Sequence, residues 1–106
     1  MKAKCCTNKK LTAEYANLAK FLRIIGDDNR LRILCLLKEG EKCVCEIHPD
    51  LNMSQNLTSS HLKILFDLNL IKMRRDWKRN YYSINNKTFK KYNSLLMSFL
   101  KKYEQD

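Results

Sequence analysis

Glycine and proline are nearly missing: the 106 residues hold two Gly and one Pro, too few turn-formers for a fold of many short strands, so a mostly helical chain is expected. No apolar run approaches the ~20 residues that a membrane-spanning helix needs, and Met1 to Lys10 lacks the apolar centre of a signal peptide. The expected setting is the cytoplasm, with no membrane partner. Also missing are a nucleophile-base-orienter set, a phosphate-binding loop and a carboxylate pair, so no enzyme is expected. Acids are scarce, 11 against 21 Lys and Arg, and the net charge is +10.

What is present suits one ordered domain. Apolar residues make up 44% and charged residues 30%, and a chain of this length has room for one modest core and no second domain. A homodimer would carry twice the charge, 2 × 10 = +20, enough to favour a polyanion. Nucleic acid is the first partner this suggests; a solvated surface that only aids solubility is the other. Five Cys in a reducing compartment, an odd number, read as thiols and not as a disulfide framework.

Residues 1–10 hold four Lys, no acid and the pair Cys5-Cys6, and read as a flexible basic arm ahead of a domain over residues 11–106. Leu11, Tyr15, Leu18, Leu22 and Ile25 then step by three and four, giving one helical stripe that ends where Gly26 can cap. Asp27 or Asp28 caps a second helix, DNRLRILCLLKEG, that is apolar nearly all round and stops at Gly40. Its Cys35 is expected to be a small core residue. A short helix from Cys43 to Leu51 follows, weakened by Pro49, which cannot donate a helical bond.

The stretch from Ser54 to about Leu68 is a helix with Ser54 as N-cap, Leu62 and Leu65 buried, and Asn69 as a left-handed stop. Gln55, Asn56, Ser59, Ser60 and Lys63 make an outward polar face. Two helices joined by a tight turn, the second rich in groups that bond base edges and phosphates, are the local pattern of a helix-turn-helix. Leu70 to Ile84 reads as a β-hairpin with a basic tip, carrying Arg74, Lys78 and Arg79 against a lone Asp76. That tip suits DNA contact, or is a charged edge that blocks aggregation; Trp77 is expected to pack on the hairpin. Asn85 or Asn86 caps a last helix, where Phe89, Tyr92, Leu96, Phe99 and Tyr103 repeat at coiled-coil-like spacing. With Leu11, Tyr15, Leu18 and Leu22 of the first helix these residues offer a dimer interface, or else core packing.

Five helices with a hairpin between the last two, and the strings IGDDNRLRIL, CVCEI, MSQNLTSSHLKIL and RRDWKRNYYSI in that order, closely resemble the ArsR/SmtB family of winged-helix repressors from about Leu11 to Tyr103. The resemblance implies a mainly α winged helix-turn-helix with five helices and a two-stranded wing, dimerised through its first and last helices. It implies a repressor that holds a double-stranded DNA operator without any cofactor and leaves it when an inducer binds. Members with Cys-x-Cys opening the third helix look like sensors of soft ions, and this assigns Cys43 and Cys45 as ligands of arsenite, antimonite, Cd or Pb. In some members arm cysteines complete the site across the dimer, a part open to Cys5 and Cys6. Two departures stand out. The last helix lacks the His and carboxylates of the family's zinc site, and His48 stands where some arsenite sensors place a third Cys.

Cys43 is expected in the first helical turn, where the helix dipole favours thiolate. Residues two apart on a regular helix point about 200° apart, so one ion shared by Cys43 and Cys45 should distort the helix that supports the DNA reader. A thiol-redox or persulfide-responsive repressor of the same fold is the second reading, since a thiolate that binds metal also oxidises readily. A ligand-insensitive nucleic-acid-binding or protein-interaction module is the third.

Overall fold

Three apolar side chains anchor the second helix of the expected helix-turn-helix and the hairpin that follows it: Leu62 and Leu65 of that helix and Ile71 at the root of the hairpin are at most 1% exposed. The computed structural model describes residues 9–101 and 103, with side chains from residue 12 onward. Cys5, Cys6 and the side chain of Leu11 lie outside those described. Five helices and three strands follow in the order α1 (Lys9–Ile25), α2 (Asp28–Leu37), β1 (Lys42–Cys43), α3 (Val44–Asp50), α4 (Gln55–Asp67), β2 (Ile71–Asp76), β3 (Arg79–Ile84) and α5 (Asn86–Lys101).

Local rules account for the joints. Asp27 is the N-cap of α2, its Oδ1 accepting from the backbone N–H of Arg30 at 3.1 Å. Gly26 does not close α1 through a left-handed turn; a Cβ there would stand 2.9 Å from the Leu22 carbonyl, so close approach and not φ demands glycine. Both helices of the helix-turn-helix end alike. Asn52 and Asn69 take positive φ of 54° and 62°. The N–H groups of Met53 and Leu70 reach back to the carbonyls of His48 and Leu65, at 2.9 and 3.0 Å. This is the Schellman arrangement, which asparagine enters at small cost. Pro49 stands inside α3, which ends one residue later.

The core gathers Ile33 and Leu37 of α2, Ile47 of α3, Leu62 and Leu65 of α4, and Leu70, with Phe21 of α1 and Tyr92 of α5 stacked at 4.4 Å between centroids. Each such side chain, fully buried, contributes on the order of 1.5–3 kcal/mol. Two arginines tie the helices across this core. Arg30 donates through Nε to the Ile24 carbonyl at 2.6 Å and lies 3.4 Å from His61 Nδ1 on α4. Arg32 donates to the Leu51 carbonyl at the end of α3, 2.9 Å away.

Two expectations about side chains fail here. Cys35 is exposed, because Ile33, Leu34 and Leu37 are the buried face of α2 and Cys35 lies about 200° round from Ile33. Trp77 does not pack on the hairpin but is 83% exposed. The β2–β3 loop closes between the paired Asp76 and Arg79 with φ +59° at Trp77 alone, the pattern of a type II′ turn, which throws that side chain outward.

The hairpin is also larger than its sequence pattern. Strand β1 adds to it, giving a three-stranded antiparallel sheet of order β1-β3-β2 with Cys43 opposite Tyr81. A salt bridge spans the sheet: Arg74 of β2 meets Glu41, next to β1, through Nε and Nη2 at 3.1 and 2.7 Å, with its guanidinium carbon 4.9 Å from the centre of the Tyr81 ring.

Two measurements check this scaffold. Asp27→Ala should cost about 1 kcal/mol in denaturant unfolding at neutral pH. The Arg30 N–H holds the Asp27 carboxyl below its ordinary value of 3.8, so this contribution is present at neutral pH and fades as the pH falls through and below that value. For the clamp, the hydrogen bonds and charge of Arg74 hold the Glu41 carboxyl below its ordinary 4.5. A carboxyl-detected NMR titration should find Glu41 depressed in the wild type and returned upward in Arg74→Ala. No difference between the two proteins would mean the clamp does not form in solution.

Candidate nucleic-acid interface and thiol pair

Ser54 opens α4 by accepting the Leu57 N–H at 3.0 Å, which fixes the first turn and leaves the next side chains facing outward. Thr58 is fully buried and turns its hydroxyl to the Ser54 carbonyl at 2.8 Å, locking that turn to the core. Gln55, Asn56, Ser59, Ser60 and Lys63 are all exposed. They are not equally available. Ser60 donates to the Asn56 carbonyl at 3.0 Å, and Lys63 pairs with Asp67 at 3.2 Å. Gln55, Asn56 and Ser59 make no side-chain hydrogen bond among the described residues, so their amides and hydroxyl are unspent.

On the wing, Arg74 is committed to Glu41, whereas Lys78 and Arg79 stand exposed at the tip, Lys78 with its Nζ 5.0 Å from the Trp77 ring centre. Arg75 donates to the Trp77 carbonyl at 3.1 Å and so braces the turn. Of the three wing cations expected to touch DNA, the two at the tip are therefore the ones not already engaged by a carboxylate.

Cys43 and Cys45 do not sit as a regular helix would place them. Cys43 is not in the first helical turn. It is the last residue of β1 and the N-cap of α3, with extended φ and ψ of −92° and 165°. Its backbone N–H is held by Glu46 Oε1 at 3.1 Å. Leaving the helical path swings its sulfur toward that of Cys45, and the two residues, with Cα atoms 5.3 Å apart, are joined by a disulfide. This corrects two expectations at once: the sulfurs converge without any distortion of α3, and these two cysteines are a bonded pair and not free thiols. Cys43 is buried at 3% exposure while Cys45 is exposed.

No cluster of three or more His, Cys, Asp or Glu able to hold a metal occurs among the described residues. His48 is turned elsewhere, its Nδ1 lying 3.3 Å from the Met53 carbonyl in the turn. The pair thus fits a soft ion as two sulfurs once reduced, with any further ligand to come from outside this set.

Both sets of residues meet in one place. A cleft of about 280 Å³ between the start of α4 and the wing tip is lined by Cys43, Cys45, Gln55, Ser59, Lys78 and Arg79. Val44, Asn80 and Tyr82, which the sequence did not single out, complete its wall. Burial raises the Tyr82 phenol above its ordinary value, so it is a neutral hydroxyl at physiological pH. Asn80 Oδ1 is buried without a hydrogen-bond partner.

Of the residues expected at a dimer interface, Leu18 and Tyr92 are buried inside the chain, at 5% and 8% exposure, and Tyr15 meets Phe99 edge-on at 5.9 Å. Phe89, Leu96 and Phe99 pack partly against the core. Leu22 of α1, Met97 and Leu100 near the end of α5, and Tyr103 beyond it remain exposed, at 39–73%.

The chain's likenesses agree with this geometry. The family model described as "Bacterial regulatory protein, arsR family" matches residues 27–73. The arsenical resistance operon repressor of Staphylococcus aureus is 38% identical over 71 residues, 67% of this chain and 68% of that protein. The cadmium resistance transcriptional regulatory protein CadC homolog of the same organism is 35% identical over 75 residues, 70% of this chain and 62% of that one. In fold, the homodimeric winged helix-turn-helix DNA-binding domain of Mb0332 from Mycobacterium bovis superposes with a TM-score of 0.71 at 23% identity, over 100% of this chain and 94% of that one. With such identity over two thirds of both sequences, and a wing and reader helix where that fold has them, the chain belongs to the ArsR/SmtB family of winged helix-turn-helix transcriptional regulators.

Proposed function

We propose that this chain is a cytoplasmic homodimeric repressor that holds a DNA operator and releases it when a soft thiophilic ion, arsenite, antimonite, Cd or Pb, is captured by Cys43 and Cys45. The observation that carries this reading is the convergence of the two sulfurs at the junction of β1 and α3. Soft sulfur selects soft ions, and the reduced pair is already placed to grasp one. The relatives named above act in arsenical and cadmium resistance, which supports an inducer of this class. Cys5 and Cys6 are proposed as the source of further sulfur, from the arm of the partner chain.

Gln55 and Asn56 are proposed to read bases, since a side-chain amide can bond adenine through two atoms. Ser54, Ser59, Ser60 and Lys63 then reach phosphates or base edges, Lys78 and Arg79 grip the backbone from the wing, and Arg74 positions the wing through Glu41. Dimerisation uses the apolar surface left on α1 and α5, around Leu22, Met97 and Leu100. Release follows because Cys43 belongs to both DNA-holding elements: β1 is bonded to the wing strand β3, and α3 packs on α4. An inducer that favours a different arrangement there shifts the dimer off DNA, with a coupling on the order of 1–3 kcal/mol, about 5–150-fold in affinity.

The Cys43–Cys45 disulfide itself favours a second reading, a thiol-redox switch. Two thiols give up two protons and two electrons to form the S–S bond, and hydrogen peroxide taking them becomes two molecules of water.

Two experiments test these assignments. Titrating the reduced protein with Cd, Pb and arsenite should raise sulfur-to-metal charge-transfer absorbance and release a duplex enriched from a random pool on the purified protein; Cys43→Ser should lose both effects. Absorbance unchanged by that substitution would remove the pair from the site, and peroxide-driven release without metal would transfer the role to the disulfide. Across several salt concentrations, Lys78→Ala or Arg79→Ala should weaken all duplexes alike and lower the salt slope by about 1, whereas Gln55→Ala or Asn56→Ala should relax sequence preference by about 1–3 kcal/mol. Identical behaviour of the two classes would overturn the division between gripping and reading.

A further inference from the structure

The cleft between α4 and the wing tip brings the thiol pair and the proposed DNA contacts to a single space, and this has a mechanistic reading that rests on the DNA-binding function proposed above. Four of its walls are donors suited to an anion: the Lys78 ammonium, the Arg79 guanidinium, the Gln55 amide and the Ser59 hydroxyl. Its volume of about 280 Å³ is that of roughly nine liquid waters, room for one phosphate group with some of its hydration. In the same wall stands Cys45, an exposed residue, beside the buried Cys43, and reduction of their disulfide frees the two sulfurs.

We infer that this cleft seats a backbone phosphodiester of the bound DNA directly against Cys45, so that a sulfur-bound ion and that phosphate compete for one volume. Release then needs no message relayed along α3. An occupant on the sulfurs removes the phosphate from Lys78 and Arg79 by taking its place, and DNA in turn shields the thiol from the inducer. The coupling is reciprocal, as any linkage between two ligands must be.

The test uses the reduced, full-length protein and iodoacetamide as the probe, read at each cysteine by peptide mass spectrometry, with and without a saturating duplex enriched from a random pool. Cys45 should alkylate at least about tenfold more slowly on DNA, while Cys35, exposed on α2 away from the cleft, keeps its rate and serves as the internal reference. A second arm uses Cys5→Ser/Cys6→Ser/Cys35→Ser protein capped at Cys45 with methyl, carboxamidomethyl or N-ethylmaleimide groups. Affinity for the duplex should fall stepwise with the size of the cap, with circular dichroism and thermal stability unchanged.

Equal Cys45 reactivity on and off DNA, or affinity indifferent to the cap, would overturn the shared cleft. The outcome also separates it from the inducer reading. If soft ions release the duplex but Cys45 stays reactive in the complex, the cleft inference is wrong and release travels through α3. If ions release nothing yet DNA shields Cys45, the cleft stands and the inducer assignment falls.

Discussion

Strand β1 is two residues long, and the position of every proposed functional group depends on how it ends. Cys43 pairs with Tyr81 as the edge of the wing sheet and, in the next step of the chain, caps α3 with its N–H bonded to Glu46. One backbone residue therefore belongs to the wing and to the helix-turn-helix together. Had the chain entered α3 one residue earlier, Cys43 would be helical, its sulfur would face away from Cys45, and the sheet would lose its third strand.

Everything on the DNA-facing side is held from behind by short-range devices. The two left-handed asparagines set the angle at which α3 meets α4 and α4 meets β2, and the three side chains of Leu62, Leu65 and Ile71 convert that angle into buried area. Arg30 and Arg32 then bond carbonyls at the ends of α1 and α3, groups that the helices themselves leave unsatisfied. None of these residues faces the cleft. A rigid frame of this kind lets a small event at the Cys43–Cys45 pair be felt at the groups proposed to face DNA instead of being absorbed by the core.

Much of this was legible in the chain because its signals are local. The Ser54 cap, the Asn69 stop, the Leu62 and Leu65 stripe, the hairpin with its basic tip, and a cap at Asp27 or Asp28 each rest on a few neighbouring residues. What was not legible is tertiary. A strand of two residues has no periodicity, so β1 could not be read, and with Cys43 assigned to the helix its sulfur pointed the wrong way. Cys35 sits in a segment apolar nearly all round, where periodicity cannot choose the buried face; packing against α4 chose Ile33, Leu34 and Leu37. Arg74 looked like any wing cation until Glu41, distant in sequence, met it across the sheet. Asn80 and Tyr82 carried no motif and enter the site only through the register of β3.

Charge sets a limit on how release can work. Two chains carry +20 together, so DNA of any sequence is attracted, and an inducer ion adds positive charge or none. Long-range electrostatics alone would thus tighten binding as the ion arrives, by a small fraction of a field already that strong. On the proposed inducer mechanism, release comes instead from short-range interactions that the ion breaks. Moving one base edge away from Gln55 or Asn56, the proposed readers, would cost about 1–3 kcal/mol, and moving one phosphate away from Lys78 or Arg79 would weaken DNA of any sequence. That matches the size of a typical regulatory coupling, so an ion acting on one or two such interactions in each half of a dimer is sufficient. Cys43 and Cys45 line the cleft that also holds Gln55, Ser59, Lys78 and Arg79, the groups proposed to read bases and grip phosphates, and no other described cysteine lines it.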